Sequence, residues 1–104
     1  LERSTEIGKK CFERFGQWKE KYDCVGDVRG LGAMCAIEFV TDKETKTPDA
    51  ARVSRIISYA ANHGLIMENA GTYGNVIRFL CPLVVTDEQL EAGFRIYEEA
   101  IRNS

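Results

Sequence analysis

In the run Val76-Ile77-Arg78-Phe79-Leu80-Cys81 one guanidinium interrupts five apolar side chains. The run reads as a buried strand, and strand alternation puts Ile77, Phe79 and Cys81 on one face and Val76, Arg78 and Leu80 on the other. A permanent cation moved out of water costs several kcal/mol unless an anion meets it. The planar fork of the guanidinium suits a carboxylate or phosphate held by two hydrogen bonds. Arg78 is therefore the candidate binding residue, and its expected ligand is an anion. One internal alternative stands beside this. Glu38 is a second charge in an apolar strand, and if the two strands are neighbours it shares a face with Arg78 and neutralises it across the sheet.

Other chemistry-bearing residues do not fall into working patterns. The single histidine, His63, reads as a helix-terminal residue complementing the helix dipole, and no role is assigned to it. The six lysines at 9, 10, 19, 21, 43 and 46 lie on polar helix faces or in a polar loop. A Schiff-base lysine needs a desolvated pocket to lower its pKa, so none of them is a candidate. The cysteines at 11, 24, 35 and 81 show no C-x-x-C pair, so neither a zinc site nor a disulfide framework is indicated. Cys11, Cys35 and Cys81 fall on apolar faces as small buried hydrophobes, whereas Cys24 lies in a loop and is expected to label readily. Gly26, Gly30 and Gly32 are not spaced G-x-G-x-x-G and lead into a strand, which excludes a dinucleotide fingerprint. Catalytic, cofactor-binding and metal-ligating residues are thus all assigned as none.

The elements that must hold Arg78 follow from periodicity. Ile7, Cys11, Phe15, Trp18 and Tyr22 lay one apolar stripe along a helix from about Ser4 to Tyr22. A short strand and a glycine turn from Val25 to Gly32 feed a strand from Ala33 to Val40, with Ala33, Cys35, Ile37 and Phe39 on one face and Met34, Ala36, Glu38 and Val40 on the other. Thr47-Pro48-Asp49 reads as a capped helix start. Val53, Ile56, Ile57 and Ala60 form that helix's stripe, and Gly64 occupies its left-handed terminal position, with Leu65 packing back. Leu65 to Met67 reads as a short strand, Asn69 to Asn75 as a loop, and Val76 to Cys81 as the strand of Arg78, closed by Pro82. Thr86 and Gln89 form a capping box, ahead of Leu90, Phe94, Tyr97 and Ile101 facing inward. Gly93 within this last helix suggests a close helix-to-sheet contact.

This order predicts an α+β two-layer sandwich: a small antiparallel or mixed sheet of three to four strands, covered on one face by three helices. A chain of 104 residues fits one domain, expected to span residues 1–104. The other sheet face would carry Met34, Ala36, Val40, Val76 and Leu80 beside Glu38 and Arg78, a mixture that calls for a partner surface. The net charge of -2 argues against a nucleic-acid partner. No apolar stretch approaches the ~20 residues a bilayer span needs, and Leu1-Glu2-Arg3-Ser4 shows no signal-peptide pattern, so a cytoplasmic location is expected.

Two stretches carry a family resemblance over nearly the whole chain. One is Val25-Gly26-Asp27-Val28-Arg29-Gly30-Leu31-Gly32-Ala33-Met34 running into Ala36-Ile37-Glu38-Phe39. The other is Gly64-Leu65-Ile66, then Gly74-Asn75-Val76-Ile77-Arg78-Phe79, Cys81-Pro82-Leu83 and the helix start Thr86-Asp87-Glu88-Gln89-Leu90. In order and spacing they resemble the carboxy-terminal small domain of class III (fold type I) pyridoxal-phosphate aminotransferases, the branch acting on 4-aminobutyrate above all. The resemblance implies a fragment of an enzyme moving an amino group from 4-aminobutyrate, or a similar ω-amino acid, to 2-oxoglutarate. It places Arg78 where the family binds a substrate carboxylate, and it makes Gly30, Gly32 and Glu38 structural. It puts the cofactor, pyridoxal 5'-phosphate, and its lysine on a large domain of the same chain, so that the fragment alone is inactive. It also implies a homodimer when intact. The residues by themselves also admit a stand-alone carboxylate-binding module or a structural interaction module.

Overall fold

A computed structural model describes residues 2–31, 34–80 and 85–104, except for the side chains of Leu31 and Leu80. The elements run α1 (Glu2–Lys21), β1 (Val25–Leu31), β2 (Met34–Phe39), α2 (Ala50–Asn62), β3 (Glu68–Ala70), β4 (Val76–Leu80) and α3 (Asp87–Arg102). The strands form one antiparallel sheet in the order β1-β2-β4-β3. Three helices cover one of its faces, as the sandwich reading requires.

The alternation read from the sequence decides which side chains meet those helices. Cys35, Ile37 and Phe39 from β2, and Ile77 and Phe79 from β4, join one core cluster with Ile7, Cys11, Phe15 and Trp18 of α1, Val53, Ile56 and Ala60 of α2, and Leu90, Phe94, Tyr97 and Ile101 of α3. Its centre is aromatic. Phe15 lies 4.9 Å from Trp18, 5.5 Å from Phe79 and 5.4 Å from Tyr97, the last two edge-on, so ring quadrupoles add to the burial of area. The Tyr97 hydroxyl is fully buried there without a hydrogen-bond partner among the described residues, and burial pushes its pKa well above the usual range.

Helix ends follow local chemistry. Thr86 accepts from the Gln89 amide while the Gln89 side chain accepts from the Thr86 amide, each at 3.0 Å, completing the expected capping box. Gly64 takes φ 93°, and the Leu65 and Gly64 amides bond back to the carbonyls of Ala60 and Ala61, which closes α2 in a Schellman turn. The start of α2 differs from expectation. Its cap is Asp49, whose carboxylate accepts from the Arg52 amide at 3.1 Å, instead of Thr47. Pro48 is held outside the helix by a bridge to Val40, because the Thr41 and Asp49 amides donate to Thr47 and Phe39 and keep this stretch extended beside β2.

Further expectations shift. The strand placed at Leu65–Met67 forms three residues later, since Met67 is drawn into the core and only Glu68–Ala70 pairs with β4. Cys24 is buried at 8% exposure, not accessible in a loop, and burial raises its thiol pKa. Gly93 is buried against β4, yet a methyl there would meet the Phe79 ring and Leu65 at 3.7 and 3.8 Å, ordinary contact and not a forced approach. The expectations for Gly32, Ala33, Cys81, Pro82 and Leu83 lie outside the described residues.

Candidate functional site

Arg78 stands in the middle of β4 on the sheet face away from the helices. Paired residues of an antiparallel ladder share a face, so the register Arg29↔Ala36, Ala36↔Arg78 and Glu68↔Arg78 defines one row across the open face: Arg29, Ala36, Arg78, Glu68. A second row, Asp27, Glu38, Val76 and Ala70, runs beside it. Ala36 and Val76 are both 8% exposed, which makes an apolar floor between charged residues.

The anticipated neighbour of Arg78 is replaced by another. Glu38 faces Val76, one diagonal step away, and its carboxylate lies 3.6 Å from Arg29. The acid opposite Arg78 is Glu68, at 3.8 Å. Because β3 forms three residues later than its apolar pattern suggested, Glu68 escaped notice, and no feature short of the strand register would have found it. Arg29 escaped for the same reason: nothing in its own strand says that it shares a row with Arg78.

Arg78 is also less desolvated than an apolar strand implied. Its side chain is 48% exposed, so the anion it was expected to need is not forced upon it within this chain. A separation of 3.8 Å exceeds the ~2.8 Å of a charge-assisted hydrogen bond, and among the described residues the guanidinium makes no hydrogen bond. Its donors are thus loosely attended. Arg78 borders a shallow depression of about 200 Å³ lined by Ile66, Met67 and Glu68. Such a site can receive one carboxylate edge-on, with Glu68 as a displaceable competitor and the exposed Ile66 as an apolar wall.

No lysine is buried, and among the described residues no cluster of three metal-ligating side chains occurs. The lysine amines sit on helix faces and in the 41–47 loop, several in ion pairs, so the described residues do not fit an aldehyde cofactor that needs a desolvated amine. No helix among the described residues is long and apolar enough to cross a membrane.

Comparison with known proteins points to one family, whose matching relatives include aminotransferases and amino-acid racemases. The chain is 46% identical over 101 residues to a probable 4-aminobutyrate aminotransferase of Bacillus subtilis (strain 168), covering 97% of this chain and 23% of that protein. It is 44% identical over 99 residues to a 5-aminovalerate aminotransferase of Pseudomonas putida, covering 95% of this chain and 23% of that protein. A solved Bacillus anthracis aminotransferase superposes with a TM-score of 0.90 at 29% identity, over 99% of this chain and 24% of its own. The chain therefore spans about a quarter of the length of the relatives it matches. The family model for aminotransferase class-III matches residues 1–101, and the chain belongs to that family of pyridoxal-phosphate-dependent enzymes.

Proposed function

We propose that residues 1–104 are the small domain of a transaminase moving an amino group from 4-aminobutyrate or a similar ω-amino acid to 2-oxoglutarate, and that Arg78 receives a substrate carboxylate. The observation that carries this reading is the half-exposed, loosely attended guanidinium on the sheet face that no helix covers among the described residues. Two parallel N–H···O bonds to a carboxylate satisfy Arg78 better than the distant Glu68, so the ligand gains what the fold withholds. A large domain of the same longer chain packs against this open face and carries pyridoxal 5'-phosphate, which supplies the electron sink. The residues described here bind and orient the acid group, and Ile66 and Val76 exclude water beside it. The intact enzyme is read as a cytoplasmic homodimer.

The test is steady-state kinetics of the whole enzyme. Arg78→Ala lowers kcat/KM for the 2-oxo acid by about 100-fold, the scale of a lost charge-assisted pair in a closed site. Unchanged kinetics would remove Arg78 from the site. Chain 1–104 alone shows no transaminase activity. A visible-absorbing lysine adduct on this chain after addition of pyridoxal phosphate, lost on mutating one lysine, would contradict the assignment of the cofactor elsewhere. Tight, localised binding of 2-oxoglutarate to the isolated chain, seen in amide shifts, would favour a stand-alone carboxylate-binding module instead.

A further inference from the structure

Cys11 and Cys35 are fully buried, reduced thiols that the carboxylate site does not use. One lies on α1 and the other on β2, so only tertiary packing makes them neighbours. The Cys35 thiol donates to the Gly8 carbonyl at 3.7 Å, so Cys35 packs against the turn of α1 that carries Cys11, three residues on along the same helix face. Gly30 closes the other side: a Cβ built there would stand 3.2 Å from the Cys35 sulfur and 3.1 Å from Phe12. Cys35 is therefore boxed between the β1 backbone and α1, in the same buried cluster as Cys11.

We propose that Cys11 and Cys35 form an oxidative modification site, closing a disulfide between α1 and β2 when a low-molecular-weight disulfide reaches them. One protein thiolate attacks a sulfur of the small disulfide, forming a mixed disulfide and expelling one small thiolate. The second protein thiolate then attacks the protein sulfur of that adduct, forming the Cys11–Cys35 bond and expelling the other. The protein gives up two electrons and two protons, and the small disulfide leaves as two thiols. Donation from the Cys11 thiol lowers the Cys35 pKa and favours its thiolate. Because both sulfurs are buried, exchange waits on local opening of α1, so it is slow and accelerated by mild denaturant. The closed loop contains all of β1, and the bond fixes that edge strand, with Arg29, against the helical layer.

The test uses the whole chain carrying Cys24→Ser and Cys81→Ser, which leaves this pair as the only thiols. After incubation with oxidised glutathione and alkylation, nonreducing peptide mapping shows an intramolecular Cys11–Cys35 link. The linked chain unfolds roughly 10 °C higher than the reduced one, and dithiothreitol reverses the gain. Adding Cys11→Ala leaves Cys35 as a glutathione adduct. If the double variant does not fold, the unsubstituted chain is mapped in the same way, and the Cys11–Cys35 link must outweigh links to Cys24 or Cys81. Stable glutathione adducts on both residues, disulfide-linked dimers, or thiols still fully alkylatable after exchange in urea that opens α1 would each overturn the proposal.

Discussion

Two of the places where basic and acidic side chains meet among the described residues have opposite outcomes. Along the α1/α3 seam they close tightly: Arg14 donates to both Glu91 oxygens at 2.6 and 2.8 Å and lies 4.8 Å over the Phe94 ring, while Lys10 reaches Asp87 and Lys21 reaches Glu98, each at 2.9 Å. In each of these pairs the acid follows its base by 77 positions, so the helices run parallel and in register with base on α1 and acid on α3. On the open sheet face the pairs stay apart, at 3.6 and 4.0 Å around Arg29 and 3.8 Å at Arg78. Helix-borne side chains point across a shared groove and can extend until they meet. Strand-borne ones stand side by side at a spacing set by the ladder, and their heads meet only where rotamers lean together. The seam spends its charges on structure, and the sheet keeps its charges for something else.

That contrast can be broken in several ways. The largest expected effect is functional: in the whole enzyme Arg78→Ala costs the ~100-fold given above, whereas Arg14→Ala changes kcat/KM for the 2-oxo acid by less than about twofold. Equal losses at both arginines would erase the distinction. Next comes stability. A double-mutant cycle on Arg14 and Glu91 by denaturant unfolding gives a coupling of about 1 kcal/mol, combining a bidentate pair with a cation–π contact, and the same cycle on Arg78 and Glu68 gives close to zero.

The seam should also titrate. Hydrogen bonds from Lys10 and Arg3 hold the Asp87 carboxyl below its usual range. At Glu98 partial burial pushes upward, but hydrogen bonds from Tyr22 and Lys21 outweigh it and the carboxyl again lies low. A carboxyl with a depressed folded-state pKa contributes stability above its unfolded value of about 4, and that contribution is lost as pH falls through the lower folded value. Stability therefore declines below about pH 4, and Glu98→Gln flattens the decline in chemical unfolding followed by circular dichroism. An unchanged slope would deny the seam its charge. The smallest effect is expected at the competitor carboxylate. Glu68→Gln shifts stability by less than about 0.5 kcal/mol, while KM for the 2-oxo acid in the whole enzyme falls roughly threefold as Arg78 loses its resident acid.

Much of the architecture was legible from residue spacing. The stripe Ile7, Cys11, Phe15 and Trp18, the box at Thr86 and Gln89, and the glycine stop at Gly64 are signals within one helix, and all three appear as read. The misreadings share one cause. Thr47-Pro48-Asp49 is locally a good helix start with Pro48 as its first residue, but β2 holds that stretch extended. Leu65–Met67 reads as a strand because it is apolar, but Met67 is claimed by the core. Cys24 reads as exposed because it lies in a loop, although the fold covers it.

Arg78 itself divides the same way. Strand alternation, a rule about adjacent peptide units, put it on the face away from Ile77 and Phe79, and that follows from the amino-acid order alone. The identity of the acid opposite it, the presence of Arg29 in the same row, and the meeting of Cys11 with Cys35 depended on which strands and helices lie side by side. Those neighbours are far apart along the chain, and what brings them together is the burial of every apolar stripe at once, a condition no single stretch of sequence expresses.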